Sequence, residues 1–309
     1  MSRPFIDFVH PDDVERTPQE ASKVTSPDYH LVNFENRYRT KDGEWRWLRW
    51  SARSDGETWF AVAYDVTERK QVEDHLRRML TEENLLAYSQ PILDARGGRL
   101  VQEELLARLR NPSDGQTIIP PEGFVPAAER YGLIGLVDRH MAAEGVAMAR
   151  RGRFAEINLS ARSISDLDIT ESLERSLASA GGSARRLVFE ITESAAVEHL
   201  DAAREFANHM ARLGCRFALD DFGTGYGSLT YLRHLPVRFL KIDVSFVRRL
   251  TESREDQAMV RSIVAIADEF GLRTVAEGVE DQQTLELLRQ YGVDHVQGFL
   301  TGRPQPITP

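Results

Sequence analysis

From about residue 84 the chain repeats one pattern: a short apolar run, a polar residue at its far end, then a longer stretch with helix-like spacing. The runs fall near residues 86–93, 99–107, 154–159, 186–191, 215–220, 237–242, 272–276 and 294–297. Short apolar runs separated by helical stretches indicate βα units. Eight such units over roughly 230 residues fit an α/β fold, a TIM-type (β/α)8 barrel. The first two runs are special. In "SQPILDARGGRLVQEELL" only the few residues around Gly97 and Gly98 join them. A parallel pair needs a long crossover, so these two strands pair as an antiparallel hairpin. That hairpin sets Gln90 opposite Glu104, at the end far from the turn, and leaves the remaining strands parallel to the second.

The polar residues at the far ends are Gln90, Glu104, Asn158, Glu190, Asp220 with Asp221, Lys241, Glu277 and Gln297. In a barrel these positions converge on one face, where barrel active sites lie. Each has a plain structural alternative. Asn158 in "INLS" can bond a loop backbone, Lys241 in "LKIDVSF" can pair with Asp243, and Glu277 in "VAEGVE" can be a helix-start carboxylate. Their joint placement at successive strand ends is much harder to explain that way. Unpaired carboxylates crowded in one cup raise one another's pKa and cost on the order of several kcal/mol each. Bound cations resolve the conflict.

Oxygen donors without histidine or cysteine favour hard ions, Mg²⁺ or Mn²⁺. Adjacent Asp220 and Asp221 can bridge two ions about 3.5–4 Å apart, which stabilises both the attacking and the leaving oxygen of a phosphoester. The eight histidines have no ligand-like spacing, which argues against zinc. The loop after the aspartates carries Gly223, Gly225 and Gly227. Its third glycine comes one residue early for a dinucleotide fingerprint, and the aspartates would repel a pyrophosphate in the absence of metal. A mobile loop over substrate fits better.

Bulk properties narrow the function classes. A formal net charge of -9 argues against an electrostatic grip on long nucleic acid. It leaves room for a small anionic substrate held through cations. The single cysteine, Cys215, excludes an intrachain disulfide and a cysteine-rich zinc site. "MSRPFIDFVHPDD" has no secretory core, and no run approaches the roughly 18 apolar residues of a membrane span. The expectation is a cytoplasmic protein with no membrane partner.

The N-terminal region has a different grammar. Residues 31–66 alternate with a period of two, interrupted by "KDGE" and "SDGE", whose Asp-Gly pairs suit tight hairpin turns. A β-meander is expected. "DVTERKQVEDHLRRML" then begins a helix, with Thr67 as N-cap and Glu68 in its first turn. Val72, Leu76 and Met79 make a short seam that serves either packing within its own domain or a dimer contact.

Two resemblances follow from these stretches. "FVHPDDVE", "RYRTKDGEWRWLRWSAR" and "DVTERKQVEDHL" resemble the later half of a PAS sensor domain over roughly residues 5–76, whose opening strands have no counterpart before Phe5. "SQPILD", "EELLARL", "IPPEGFVPAAERYGLI", "INLSAR", "VFEITES", "LDDFGTGYGSL", "LPVRFLKIDVSFV", "TVAEGVED" and "QGFLTGRPQP" closely resemble, in order and at family spacing, the EAL-domain phosphodiesterases. The division implied is 1–66 for a partial PAS-like sensor region, 67–81 for a linker helix and 82–309 for the barrel.

The second resemblance implies metal-dependent hydrolysis of cyclic di-GMP to linear pGpG by a cyclic-guanylate-specific phosphodiesterase with two Mg²⁺ or Mn²⁺ ions. It implies Glu104, Asn158, Glu190 and Asp220 as ligands of the first metal. Asp220 and Asp221 form the bridge towards the second, with Glu277 close by. Lys241 would position the attacking water, and Glu277 is a candidate general base. Gln90 and Arg108 match substrate contacts, Gln297 a polar residue near the water, and Glu193 the residue that pins the glycine loop. Leu105, Leu109 and Gly227 depart from the usual pattern and remove no ligand. A non-enzymatic cyclic di-GMP receptor and an interaction scaffold are the alternatives. A homodimer is expected, coupling the PAS-like region to the barrel.

Overall fold

The barrel closes because its first strand pairs on both sides. A computed structural model describes residues 4–24, 30–55, 58–178, 181–225 and 229–307. The chain divides into two units, Met1–Arg78 and Met79–Pro309.

The first unit holds β1 (Leu31–Arg39), β2 (Trp45–Ser54) and β3 (Trp59–Asp65), antiparallel in that order. The helix Thr67–Met79 follows. Thr67 does not cap it. Thr67 is the first helical residue, and its hydroxyl accepts from the Trp47 N–H at 2.9 Å. The Asp65 carboxylate, two residues earlier, accepts from the Thr67 N–H at 2.9 Å and takes the expected role. In the presumed seam Leu76 is buried and Val72 exposed. A cavity of about 220 Å³ lies against the sheet, lined by Leu31, Phe34, Tyr38, Trp50 and Trp59 among others.

The second unit begins with β4 (Leu85–Asp94) and β5 (Leu100–Arg110). A two-residue strand, β6 (Ile118–Ile119), pairs on the end of β5. Next come β7 (Ala155–Asn158), β8 (Leu187–Thr192), β9 (Arg216–Phe222), β10 (Phe239–Ile242), β11 (Arg273–Ala276) and β12 (His295–Val296). β13 (Gln305–Pro306) adds to the edge of β4. β5, β7, β8, β9, β10, β11 and β12 pair in parallel, and β4 joins both β5 and β12 antiparallel. Eight strands thus close a ring. β8 is apolar and buried along nearly all its length, as a parallel strand covered on both faces must be.

The first hairpin has the expected register, Gln90 opposite Glu104. The pair sits mid-hairpin rather than at its open end, since pairing continues to Leu85 opposite Leu109. Residues 85–90, LLAYSQ, contain no glycine, proline or asparagine to end the ladder sooner.

Strand alternation then sorts the barrel interior into layers. Val188, Ala218, Phe239 and Val275 each sit two residues before a strand-end polar residue, so they share its face one step lower. With Ile92 they form one buried apolar cluster. Beneath the polar layer, therefore, much of the barrel is closed by packed hydrocarbon. Among the described residues no helix is long and apolar enough to cross a membrane.

Candidate active site

Three of the site residues stand where a strand gives way to a capped helix. Glu190 is followed by Thr192, whose hydroxyl accepts from the Ala195 N–H and starts the helix Glu193–Glu198. Lys241 is followed by Asp243, which caps Val244–Arg248 through the Ser245 N–H. Asn158 is followed by Ser160, which caps Ala161–Ile164 through the Ser163 N–H. Capping fixes the chain within a few residues of the strand end, and so fixes the functional side chain.

The centre of the polar layer is the Lys241 ammonium, 1% exposed. Its Nζ lies 2.6 Å from Glu190 Oε1, 2.6 Å from Glu277 Oε1, 3.4 Å from Glu104 Oε2 and 3.8 Å from Asp220 Oδ1. Four carboxylates thus share one cation. Burial works against charge on Lys241, but Asp220, Glu104, Glu190 and Glu277 outweigh it and raise its pKa well above the ordinary value. The pKa values of the acids are raised as well, which disfavours their charged form. Burial first, then the neighbouring carboxylates, push Glu277 up to about 8 and Glu190 well above 4.5. Two oxygens in the cluster, Glu190 Oε2 and Asp220 Oδ1, are buried without a hydrogen-bond partner. A buried carboxylate oxygen without a hydrogen-bond partner is open to a water or a cation. Oxygens of Glu190, Asp220 and Glu277 all lie within 4.8 Å of one another, a donor set that suits a hard divalent ion.

Other expected residues brace this centre. Asn158 donates to Glu104 Oε1 at 2.8 Å, and Gln297 donates to Glu104 Oε2 at 2.6 Å. Gln90 accepts from Gln297 at 3.3 Å and donates to the Gly302 carbonyl at 3.0 Å. Asp221 is turned aside. Its φ of 53° accompanies a register shift in the pairing of β9 with β10, and its carboxyl shares a hydrogen bond with Asp243. Burial and the neighbouring Asp220 and Asp243 push it up to about 6. It is not one of the three converging carboxylates. Arg108 lies on the Glu104 face of β5, four residues on, where it bonds the Ala107 carbonyl and stacks 5.4 Å from the Tyr88 ring centroid. Leu109 is fully buried.

Glu193 ties the glycine loop. It accepts from the Gly223 N–H at 2.9 Å and from the Tyr231 hydroxyl at 2.8 Å. Gly223 has φ 97°, a left-handed conformation that a side chain rarely adopts. Gly227 lies outside the described residues.

One buried pair was not anticipated. Glu156 and Gln102 occupy the layer below Asn158 and Glu104, where the other strands mostly place apolar residues. Gln102 Nε2 donates to Glu156 Oε2, while Glu156 Oε1 has no partner. Burial, with Glu104 and Asp220 adding to it, pushes Glu156 up to about 7. The signal was available: Glu156 stands two residues before Asn158 on one strand, so the two share a face. Beside the centre, a cleft of about 370 Å³ is lined by Gln90, Glu104, Asp220, Glu277 and Gln297 among others. A second, of about 560 Å³, opens on the other side of Glu104 towards Asn158.

Comparison with known proteins agrees with this architecture. The family described as EAL domain matches residues 73–304, and the PAS fold matches residues 1–61. The cyclic di-GMP phosphodiesterase NbdA of Pseudomonas aeruginosa is 35% identical over 250 residues, covering 78% of this chain and 32% of the relative. The cyclic di-GMP phosphodiesterase PdeF of Escherichia coli is 33% identical over 250 residues, covering 79% and 33%. The chain therefore spans about a third of the length of these curated relatives. The solved PaMucR phosphodiesterase in complex with c-di-GMP superposes with a TM-score of 0.71 at 34% identity, covering 76% of this chain and 98% of that one. The FimX EAL domain of Pseudomonas aeruginosa bound to c-di-GMP gives 0.70 at 29%, covering 76% and 96%. With eight strands closed around four carboxylates and one lysine, and with a PAS-like segment ahead of them, the chain belongs to the EAL-domain family.

Proposed function

We propose that the barrel hydrolyses cyclic di-GMP to linear pGpG with the help of two divalent cations, Mg²⁺ or Mn²⁺. The observation that carries this reading is the charge imbalance: four carboxylates around one buried ammonium, with two oxygens left unpartnered. The names of the relatives and the titles of the solved neighbours support the substrate. Glu104, Asn158, Glu190, Asp220 and Glu277 would hold the ions, and Asp221, which shares a hydrogen bond with Asp243, would join them by turning its carboxyl inward. When bound, such cations acidify water and neutralise charge on the phosphoryl oxygens.

The chain's own residues supply the rest. Asn158 and Gln297 fix both oxygens of Glu104 and so preset its orientation. Lys241, held at 2.6 Å by both Glu190 and Glu277, orients the attacking water. Water attacks phosphorus in line with the 3′ oxygen, the P–O3′ bond breaks, and the leaving oxygen takes up a proton to become the 3′ hydroxyl of pGpG. In its ionised form Glu277 can take the water's proton. Gln90 and Arg108 serve the substrate. Glu193, through Gly223, holds the loop that follows Asp220 and Asp221.

The PAS-like region, 1–66, is read as a regulator joined through 67–81 to the barrel of 82–309, and the active form as a cytoplasmic homodimer. Sedimentation of the full chain and of a chain beginning at Thr81 tests that part; a monomer with the isolated barrel's activity would refute it. The activity itself is tested by mass spectrometry of cyclic di-GMP incubated with the protein. Conversion to pGpG with Mn²⁺ and none with chelator is expected. Binding without turnover in Mn²⁺ would contradict the enzyme and favour a receptor.

A further inference from the structure

We propose that Arg248 binds the second, non-scissile phosphate of the cyclic dinucleotide. The proposal rests on the phosphodiesterase reading above and deepens it.

The cleft of about 370 Å³ is strongly acidic: Glu104, Asp220, Glu277 and Glu280 all line it. Arg248 is the one cation among its described lining residues. It is exposed, and it makes no hydrogen bond or ion pair with any described residue. That is unusual beside so many carboxylates. Its neighbour shows the contrast: Arg249 turns away and pairs with Asp256 at 3.1 Å. Of two consecutive arginines, one closes a structural ion pair and the other faces the cleft unspent.

The position is well fixed. Arg248 ends the helix Val244–Arg248, which starts directly after the strand that delivers Lys241. The start of that helix is locked against the Glu277 loop. Gly278 has φ 68°, and a Cβ there would come within 2.3 Å of Val244 Cγ2. Lys241, Glu277 and Arg248 therefore belong to one rigid junction.

The substrate chemistry matches. A cyclic dinucleotide carries two phosphodiesters. The scissile one is neutralised at the carboxylate centre by bound cations. The other enters the same acidic cleft and needs a positive partner of its own. A free guanidinium offers a planar pair of donors to phosphate oxygens. A substrate with a single phosphodiester has no use for it.

The test compares two substrates on the full chain in Mn²⁺: cyclic di-GMP, and bis(p-nitrophenyl) phosphate, which has only one phosphodiester. Arg248→Ala should raise KM for cyclic di-GMP by about 10–100-fold with little change in kcat, as expected for a lost charge-assisted pair. Arg248→Lys should recover part of it. Bis(p-nitrophenyl) phosphate should show no comparable rise in KM. An unaltered KM for cyclic di-GMP, or the same rise for both substrates, would overturn the proposal. Calorimetry with cyclic di-GMP in Ca²⁺ separates the two readings, because it measures binding without relying on turnover. Tenfold or weaker binding by Arg248→Ala supports the arginine's role even in a chain without activity. Equal affinities refute it even in an active one.

Discussion

The two units of this chain each bury a carboxylate, and they treat it in opposite ways. In the N-terminal unit Asp13 is 3% exposed. One of its oxygens accepts from both the Arg37 N–H and Arg37 Nε at 2.9 Å, and Arg16 reaches the other at 2.9 Å. Burial raises its pKa, but the bonds from Arg37 outweigh that and hold it below the ordinary value. In the barrel, four carboxylates compete for Lys241, and Glu277 and Glu190 are pushed up. A structural acid is given its cations by the fold. The barrel's acids are short of them. The excess of acid over cation at that site is the feature on which the proposed binding of divalent ions rests.

The largest effect expected from this contrast is on turnover. Asp220→Ala removes a carboxylate whose buried oxygen has no hydrogen-bond partner and only the longest of the four ion pairs to Lys241, so the fold should survive. Loss of a metal's several kcal/mol of charge stabilisation predicts a fall in kcat/KM on the order of a thousandfold or more. Steady-state kinetics with Mn²⁺ and a measured metal affinity check it; full activity at normal affinity would remove Asp220 from the site.

Next in size is the metal-free stability of the barrel. Lys241→Met takes away the only cation among the cluster's described residues. Leaving buried carboxylates uncompensated should cost about 3–5 kcal/mol at neutral pH. The same variant should still bind cyclic di-GMP in Ca²⁺ while losing most turnover. Urea unfolding without metal, beside kinetics with it, reads both; an undiminished turnover number would make the lysine structural.

The smallest effect belongs to the balanced acid. Asp13→Ala leaves the Arg37 backbone N–H without its acceptor, which predicts about 1–3 kcal/mol. Hydrogen exchange should place that loss within residues 4–78 and leave the barrel's metal affinity as it was. A loss of metal affinity would break the separation between the two regions.

Much of this was readable beforehand, for identifiable reasons. Strand alternation and a link too short for a crossover fixed Gln90 against Glu104. Polar residues closing successive apolar runs marked Glu190, Lys241 and Glu277. What stayed hidden depends on direction rather than sequence. Asp221 follows Asp220 immediately, and only its left-handed backbone sends its carboxyl towards Asp243. The Thr67 hydroxyl was claimed by Trp47, twenty residues away, so a local capping rule named the wrong side chain. Glu156 carried a visible signal, two residues before Asn158, but attention to strand ends passed over the layer beneath.

The most direct test of the central claim is the stability of the barrel against pH, with and without Mn²⁺. Glu277 rises from an ordinary 4.5 to about 8 on folding without metal, so the folded chain holds more protons than the unfolded one between those values. The metal-free barrel should therefore lose stability as pH rises from about 4.5 to 8, at up to about 1.4 kcal/mol per pH unit for each such proton. Saturating Mn²⁺ should abolish or reverse that slope. Asp13, with its lowered pKa, predicts the opposite for the N-terminal unit, whose stability should fall only as pH drops below about 3.8. Hydrogen exchange resolved by unit measures both slopes on the full chain. A barrel whose stability ignores both pH over this range and Mn²⁺ would contradict the account.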